Sequence, residues 1–413
     1  MTERISQTQA IIIAAVIIVA GVGGVFLFTS MTAPPGPEPI KIGFISGLSP
    51  PGAYGAAANI KDGAELAIKH INEDGGLLGR PVTLVVGDSS GQVEKGIAAA
   101  NRLITEDNVV AIVGMLHSSV VLSVQDICEE YEIPLLPSGA GNVMITQKNM
   151  SYTFRAHITD LDRADSWLNF SKYMGWEKLA IIAEDTDWGV GGIEWVENQQ
   201  SDVYPGCTIE SWVVSRESPD YYTELLEIKD WGPDVVLEIA SQLFFYQITK
   251  NAYEVDLSTQ VPLLAAAPEM PQQGAWEAVG EAGVGILETE SYHPNMELTE
   301  QGERAQDGWY IEYGHGPEYF GLNGYSDVMC VAQAIEIAGS ADSVQIANAL
   351  RGNPLERWGS TITFEDTPGP YHQQASPPVL ICQFTEFEQA LEDTTIIFPE
   401  SKATGDYTPP GDL

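Results

Sequence analysis

Short apolar runs alternate with longer amphipathic segments along most of this 413-residue chain, and that alternation constrains its fold more than any other feature. The first apolar run, residues 40–45, is followed by residues 54–72, where Ala57, Ile60 and Ala64 recur at helical spacing. Strands separated by helices imply right-handed crossovers, which give a mostly parallel sheet with helices on both faces. The sequence therefore predicts an α/β fold.

The alternation runs through two sets of segments. The first set predicts strands at residues 40–45, 82–86, 109–113 and 133–136 and helices at residues 54–72, 93–104 and 118–131. The second set predicts strands at residues 178–183, 207–213, 234–239 and 262–265 and helices at residues 190–200, 221–230 and 244–253. Two such sets indicate two doubly wound, Rossmann-like lobes.

Beyond residue 290 the pattern is less regular. Helices are predicted near residues 298–313, 326–338 and 343–350, and short strands near residues 361–364 and 379–384. Because these segments hold too few strands for a sheet of their own, we expect them to return to the two lobes. The predicted lobes are residues 40–157 plus 290–352 and residues 158–289 plus 353–400, followed by a loose tail at residues 401–413.

The N-terminal region contains an uncharged apolar run, residues 10–28, that is long enough for a helix to cross a bilayer core of about 30 Å. Arg4 is the one basic residue before it, which favours a cytoplasmic N-terminus, and the Pro-rich residues 29–39 form a stiff linker. We expect residues 1–28 to be a transmembrane anchor that holds the body outside the cell. A cleaved signal peptide is the alternative, and it places the body outside as well.

The charge balance excludes two classes of partner. The chain has 19 Lys and Arg against 58 Asp and Glu, a formal net charge of -39, and this opposes the positive field that nucleic acids and anionic lipids require. Such an acidic surface suits a protein that works in high salt, where ions screen its self-repulsion, or one that is acidic for solubility alone.

Neither the cysteines nor the known catalytic motifs indicate an enzyme. Four cysteines lie far apart, so they form buried thiols or one or two disulfides but no zinc ribbon. The chain has no H-E-x-x-H, G-x-S-x-G, P-loop or complete G-x-G-x-x-G motif, and its six histidines lack ligand spacing. We predict no enzymatic activity, no metal and no cofactor, with a hydrolase that uses Asp185 and Asp187 as the weaker alternative.

Loops after the predicted strands supply the candidate binding residues, because ligands of open parallel sheets bind beyond the carboxyl ends of the strands. Ser118 and Ser119 begin a helix after one strand, and free N–H groups there suit a carboxylate, although Ser118 could simply cap the helix. Residues 137–141 are small and let a ligand approach the backbone. Trp188 is either an aromatic wall of the binding site or a side chain of the core.

Ordered motifs from residue 40 to about residue 385 carry a family resemblance. The opening block reads IKIGFISGLSPPGAYGAAANIKDGAELAIKHINEDGGLLGRPVTLVVGDS and contains N-x-x-G-G-x-L-G-R, which ties a helix end to the next strand. The later blocks are VVAIVGMLHSS, IPLLPSGAG, YTFR, KLAIIAEDTDWGVGG, GPDVVLEIA and GLNGYSDVMCVAQAIEIAGS. In this order they resemble the type I periplasmic binding proteins of the leucine/isoleucine/valine-binding kind.

The resemblance implies two lobes joined by three crossovers, with the ligand in the cleft between them. It assigns ligand-binding roles to an aromatic on the first loop, a carboxylate clamp, an aromatic cover and an acid that pairs with the ligand's ammonium. The corresponding residues are Tyr54, then Ser118 with the backbone around Ser138, Gly139 and Ala140, then Trp188, and finally Glu269.

Two departures from the family pattern concern ligand identity. Ala140 stands where amino-acid binders usually carry a Thr hydroxyl, and Ser241-Gln242 replaces an expected Tyr, which makes Gln242 a further candidate. An anion site at Ser118 and a cation site at Glu269 would together suit a zwitterion that bridges the cleft and favours its closure.

The resemblance implies an extracellular, monomeric solute-binding component of an ABC importer, which captures an amino acid or a related small polar solute and delivers it to the membrane permease. Two alternatives stay open. One is an amide or urea carrier, whose neutral ligand would leave Glu269 without a cation; the other is the ligand-binding ectodomain of a sensory receptor system, which neighbouring kinase or chemoreceptor genes would favour.

Overall fold

Four parallel strands form the first sheet in the computed structural model, which describes residues 37–272 and 274–413. Its elements in chain order are β1 (Ile40–Ser46), α1 (Tyr54–Glu73), β2 (Val82–Asp88), α2 (Val93–Thr105), β3 (Ala111–Gly114), α3 (Ser118–Glu130), β4 (Leu135–Pro137) and the short α4 (Met144–Gln147). The strand order is β2-β1-β3-β4, and all three pairs are parallel. The predicted doubly wound arrangement is therefore confirmed here.

A second sheet of seven strands follows. Its first elements are α5 (Asp160–Met174), β5 (Lys178–Glu184), α6 (Asp187–Val203), β6 (Thr208–Val214), α7 (Tyr222–Trp231), β7 (Val235–Ile239), α8 (Leu243–Glu254), β8 (Leu263–Ala265), the short α9 (Ala275–Val279) and β9 (Leu287–Glu290). These five strands pair in parallel, in the order β9-β8-β7-β5-β6.

Most of the remaining segments return to the two sheets, and two short strands, residues 354–356 and 361–363, form a separate antiparallel pair. The remaining segments are α10 (Glu300–Tyr313), α11 (Tyr319–Ala338), α12 (Ser343–Leu350), β10 (Pro354–Glu356), β11 (Thr361–Thr363), β12 (Leu380–Gln383) and β13 (Thr395–Phe398). β12 and β13 extend the second sheet in antiparallel pairing beyond β9, whereas α11 packs on α1 beside the first sheet. No additional sheet of comparable size forms among the described residues, which agrees with the expected return; the lobe boundaries stay predictions.

Helices α1 and α11 approach each other through glycines. A Cβ added at Gly63 would lie 1.9 Å from the carbonyl oxygen of Gly321, and one added at Gly324 would lie 2.0 Å from that of Ile60. Only hydrogen atoms fit at these two contacts. The close approach fixes the position of α11, whose first turn carries Phe320 toward the candidate site.

Six elements, α4, α5, α9, β9, β10 and β13, were not predicted from the sequence, and the reasons are clear for α5 and β9. α5 has apolar residues at helical spacing (Leu161, Ala164 and Leu168), but the many polar residues between them make the pattern weak, and the helix starts at a capping box formed by Thr159 and Asp162. β9 reads Leu-Glu-Thr-Glu, and alternation would assign its Glu288 and Glu290 to a solvent-facing side, yet both side chains are fully buried. The alternation of apolar and polar residues does not predict which side of a strand is buried where the core contains carboxyl groups.

The C-terminal tail differs from the loose segment that the sequence predicted. Residues 401–413 were expected to be loose, but the ring of Tyr407 packs on Trp176 at 5.6 Å and the Thr408 backbone N–H donates to the Gln383 amide oxygen. The side-chain and ring contacts hold this segment against the second sheet.

The four cysteines are free, buried thiols (Cys128, Cys207, Cys330 and Cys382), so the disulfide alternative is wrong.

The predicted membrane anchor at residues 10–28 lies outside the described residues, as does most of the linker. Within the described part of the chain, every helix is too short or too polar to cross a membrane.

Candidate functional site

A cavity lies where the carboxyl ends of the strands of both sheets meet. Nearly every lining residue comes from a loop that follows a strand or from the first turn of the next helix. The lining residues are Ala53, Ala56, Leu116, His117, Ser118, Ser119, Gly139, Arg163, Glu184, Thr186, Trp188, Arg216, Ser241, Ala267, Glu269 and Phe320.

The structure brings together four of the eight predicted site residues. Ser118, Gly139, Trp188 and Glu269 line the cavity, whereas the other four, Tyr54, Ser138, Ala140 and Gln242, do not. The side chains of these four residues lie outside the cavity lining. The ligand-binding roles of all eight residues stay predictions.

Each of the four excluded residues has a structural role or an exposed position. The Ser138 hydroxyl donates to the buried carboxylate of Asp327 at 2.7 Å, and the Ala140 carbonyl accepts from the Arg155 guanidinium at 3.0 Å. Tyr54 is 41% exposed at the start of α1. The two loop residues thus support the cavity wall without reaching its interior.

Gln242 bridges the two sides of the cavity mouth. Its side-chain amide oxygen accepts from the Gly55 backbone N–H at 3.2 Å, and its own backbone N–H donates to a carboxylate oxygen of Glu269 at 3.0 Å. Its φ of 37° lies in the left-handed region, which is strained for a side chain of this size. The hydrogen bonds at both ends hold this conformation and connect Glu269 to the start of α1.

The first-sheet wall presents the N-terminus of α3. Within the described part of the chain the backbone N–H groups of Ser118 and Ser119 donate to no protein acceptor, and the N-terminal end of the helix carries a partial positive charge. The Ser118 hydroxyl oxygen accepts from the Asn142 N–H at 3.2 Å, so its own proton is free to donate. This end of the cavity suits an anion.

The second-sheet wall presents two carboxylates side by side. Glu184 accepts from the Ser241 N–H and hydroxyl and from the Thr186 hydroxyl, while Glu269 accepts from the next N–H in the chain, that of Gln242. Burial raises the pKa of Glu269 to about 8, and the neighbouring charge of Glu184 adds to that rise. Two carboxyl groups in one closed space create a strong site for a cation.

Glu288 holds the loop that carries Glu269. One of its carboxyl oxygens accepts the backbone N–H groups of both Glu269 and Met270, at 2.5 and 2.7 Å. The Tyr246 hydroxyl donates to the Glu269 carbonyl at 3.3 Å. The position of the Glu269 carboxylate is therefore set from behind by buried groups that do not reach the cavity.

Glu290, two residues beyond Glu288, supplies a stability test. It is fully buried, neither of its carboxyl oxygens meets hydrogen-bond geometry with a partner among residues 37–272 and 274–413, and burial raises its pKa well above the ordinary 4.5. The folded state therefore keeps the neutral form while the unfolded chain ionises, so stability falls as pH rises above 4.5. Glu290→Gln should make that fall shallower, by about 1.4 kcal/mol per pH unit.

Urea unfolding between pH 5 and pH 8 measures this effect. The exposed Glu303 gives the matched control Glu303→Gln, which should leave the slope unchanged. Equal slopes for Glu290→Gln and the unsubstituted protein would show that the Glu290 carboxyl is not held neutral.

Two more titratable groups line the cavity. Burial lowers the pKa of His117 to about 4, aided by the charge of Arg216, so its ring is neutral at pH 7. Arg216 donates across the mouth to the Pro51 carbonyl at 2.9 Å, and its guanidinium lies 4.5 Å from the Phe244 ring centroid. Arg216 thereby offsets the charge of Glu184 and contacts the opposite wall.

Three charged lining residues, Arg163, Glu184 and Arg216, were not among the predicted site residues. Glu184 directly follows a predicted strand, so its position in the chain was a usable signal, but Asp185 and Asp187 share that signal and do not line the cavity. Arg163 belongs to the overlooked helix α5. Arg216 belongs to an irregular loop that carries no pattern.

Comparison with known proteins places these features in a family. The family model described as periplasmic binding protein matches residues 39–386. The Leu/Ile/Val-binding protein homolog 3 of Brucella melitensis is 25% identical over 336 residues, which cover 79% of this chain and 88% of that protein.

Solved structures share the fold. The leucine-binding protein LivK of Thermotoga maritima superposes with a TM-score of 0.76 at 21% identity, covering 87% of this chain and 98% of that chain. The branched-chain amino acid transporter substrate-binding protein LivJ of Streptococcus pneumoniae, in complex with isoleucine, gives 0.77 at 18% identity, covering 88% and 100%. Since the family model spans most of the chain, this protein belongs to the periplasmic binding protein family.

Proposed function

We propose that this protein captures an amino acid with an apolar side chain in the cavity and delivers it to an ABC permease in the membrane. The observation that carries the proposal is the opposite charge preference of the two walls. The N-terminus of α3 at Ser118 attracts an anion, and the Glu269 carboxylate opposite attracts a cation. A zwitterion satisfies both.

The remaining lining supports an apolar side chain. Leu116, Phe320 and the methyl groups of Ala53, Ala56 and Ala267 surround the space between the charged ends, with the Trp188 ring beside them. Burying an aliphatic side chain there contributes about 1.5–3 kcal/mol to binding. The charged ends fix orientation while the apolar lining selects size.

Contacts across the cavity mouth support capture by closure. Gln242 meets Gly55, Arg216 meets Pro51, and the Asn142 amide donates to the Asp187 carbonyl at 2.8 Å. A ligand that contacts both walls stabilises the closed form relative to an open one, and the closed form gives a permease a distinct surface to recognise. One similar protein is a transporter substrate-binding protein, which supports delivery to a transporter.

A thermal-shift screen of the full chain tests the proposal. The probes are the amino acids, small amides, urea and simple carboxylates, each in low and in high salt. A ligand that binds only the folded state adds RT ln(1 + [L]/Kd) to stability, about 2.7 kcal/mol at a hundredfold excess over Kd. We expect shifts with apolar amino acids; shifts confined to amides or urea would replace the proposed ligand with a neutral one.

A further inference from the structure

Arg163 is a buried cation in the cavity wall that the sequence-based site did not include. It lies in the first turn of α5 and is 2% exposed, yet it lines the cavity. One terminal nitrogen, Nη1, donates to the Asp160 carboxylate at 3.1 Å. Its Nε is buried without a hydrogen bond, and its guanidinium forms no other hydrogen bond within the described residues.

The guanidinium lies beside the anion-binding end of the cavity. The Asp160 backbone N–H donates to the Gly141 carbonyl at 2.9 Å, and a Cβ added at Gly141 would lie 2.3 Å from Nη1 of Arg163. The next residue, Asn142, donates its backbone N–H to the Ser118 hydroxyl. Residues 141–142 therefore separate Arg163 from the N-terminus of α3 by a single layer of backbone.

The ion pair with Asp160 leaves donors of Arg163 unused. A guanidinium has five N–H donors in a planar fork, and buried donors without acceptors cost stability. Asp160 is fully buried and one of its oxygens also lacks a hydrogen bond, so this pair is incompletely satisfied in the described structure. A ligand carboxylate is an acceptor that matches the fork geometry.

We infer that Arg163 is a specificity-determining residue that contacts the ligand's carboxylate together with Ser118 and the N-terminus of α3. The site then selects carboxylic acids over the corresponding amides, because a neutral amide would leave a buried cation without an acceptor. This inference rests on the proposed amino-acid function for its natural ligand, but carboxylate selection can be measured without it.

The test compares two probe pairs by titration calorimetry with the full chain. L-leucine and L-leucinamide differ at the carboxyl group and share the ammonium; isocaproate and isocaproamide differ in the same way and lack the ammonium. The variant is the double substitution Arg163→Gln with Asp160→Asn, which removes the ion pair as a unit and avoids a buried, unpaired carboxylate. We expect the acid-to-amide affinity ratio to fall about thirtyfold.

A second ion pair, far from the cavity lining, gives the control. Arg304 and Asp74 are joined at 2.6 Å, are partly exposed, and do not line the cavity. The double variant Arg304→Gln with Asp74→Asn should leave the acid-to-amide ratio within about threefold of the unsubstituted protein. A single Arg163→Lys variant keeps the charge and should retain part of the selectivity.

The two probe pairs separate failure of this inference from failure of the proposed function. Equal affinity of the unsubstituted protein for L-leucine and isocaproate would discard the amino-acid ligand, while the isocaproate pair still reports on Arg163. An unchanged acid-to-amide ratio in the Arg163 double variant would overturn the inference. So would an unsubstituted protein that prefers the amides or that binds neither acid at millimolar concentration.

Discussion

Glu269→Gln should weaken the binding of L-leucine by about a hundredfold or more. The substitution keeps the shape of the side chain and an oxygen that accepts the Gln242 N–H, but it removes the carboxyl group that ionises to receive the ligand's ammonium. Removing one partner of a buried charge pair costs about 2–5 kcal/mol. Glu184 stays in place and can recover part of that loss.

The ligand-free variant should be at least as stable as the unsubstituted protein, because a carboxyl group with a raised pKa is replaced by a neutral amide. This separates loss of binding from loss of folding. Glu277→Gln, at an exposed position on the following helix α9, is the matched control and should bind L-leucine normally. Less than threefold weakening by Glu269→Gln would mean that Glu269 does not receive the ammonium of L-leucine.

Binding of L-leucine should strengthen as pH rises from 6 to 8, by about fiftyfold. Since the pKa of Glu269 in the empty cavity is about 8, its carboxyl group is mostly protonated at neutral pH and must lose that proton to receive an ammonium. Below pH 8 each unit of pH then costs about 1.4 kcal/mol of binding free energy. The ammonium of the ligand stays charged over this range.

The groups around Glu269 support an affinity for L-leucine that increases with pH. Burial is the largest cause of its raised pKa and the charge of Glu184 adds to it, while Arg216 acts on Glu184 from the mouth of the cavity. Glu288, whose pKa burial also raises well above 4.5, contacts the backbone of Glu269 from behind. His117, with a pKa of about 4, does not change charge between pH 6 and 8.

Calorimetry in two buffers of different ionisation enthalpy counts the protons released. At pH 6.5 we expect about one proton to leave for each L-leucine bound. Isocaproate, which has no ammonium, should not show this release, and Glu269→Gln should remove the pH dependence. Affinity for L-leucine that falls as pH rises would mean that Glu269 does not receive the ammonium.

The regular part of the fold could be predicted from sequence because burial imposes periodicity. Strands β1, β5 and β7 are apolar runs that are covered on both faces, and the intervening helices show one apolar side, so their centres were found within a few residues. Fold class follows from this alternation alone. Polar starts and buried carboxyl groups, as in α5 and β9, remove that signal.

The site was predictable only to the level of its loops. Ser118 and Glu269 follow strands, and the family resemblance assigned their roles; both line the cavity. Ser138 follows a strand in the same way, but its side chain turns toward Asp327. Which way a loop side chain points depends on partners distant in sequence, and no local pattern encodes them.

Which charged residues line the cavity also depends on partners distant in sequence and not on a local pattern. The chain has many carboxylates in loops, and nothing local distinguishes Glu184, which lines the cavity, from Asp185, whose carboxylate accepts the Arg216 backbone N–H. A one-residue difference reverses the direction of the side chain at the end of a strand. The three-dimensional structure was needed to pair Arg163 with Asp160 and with the anion-binding end of the cavity.

The central claim is that one ligand spans an anion site and a cation site on facing walls. Titration calorimetry of the full chain at pH 8 with L-leucine, isocaproate and L-leucinamide tests it most directly. We predict that L-leucine binds at least about a hundredfold more tightly than either analogue, because each analogue lacks one of the two charges. Affinity of either analogue within about threefold of L-leucine would show that its missing charge contributes nothing, and would contradict the account.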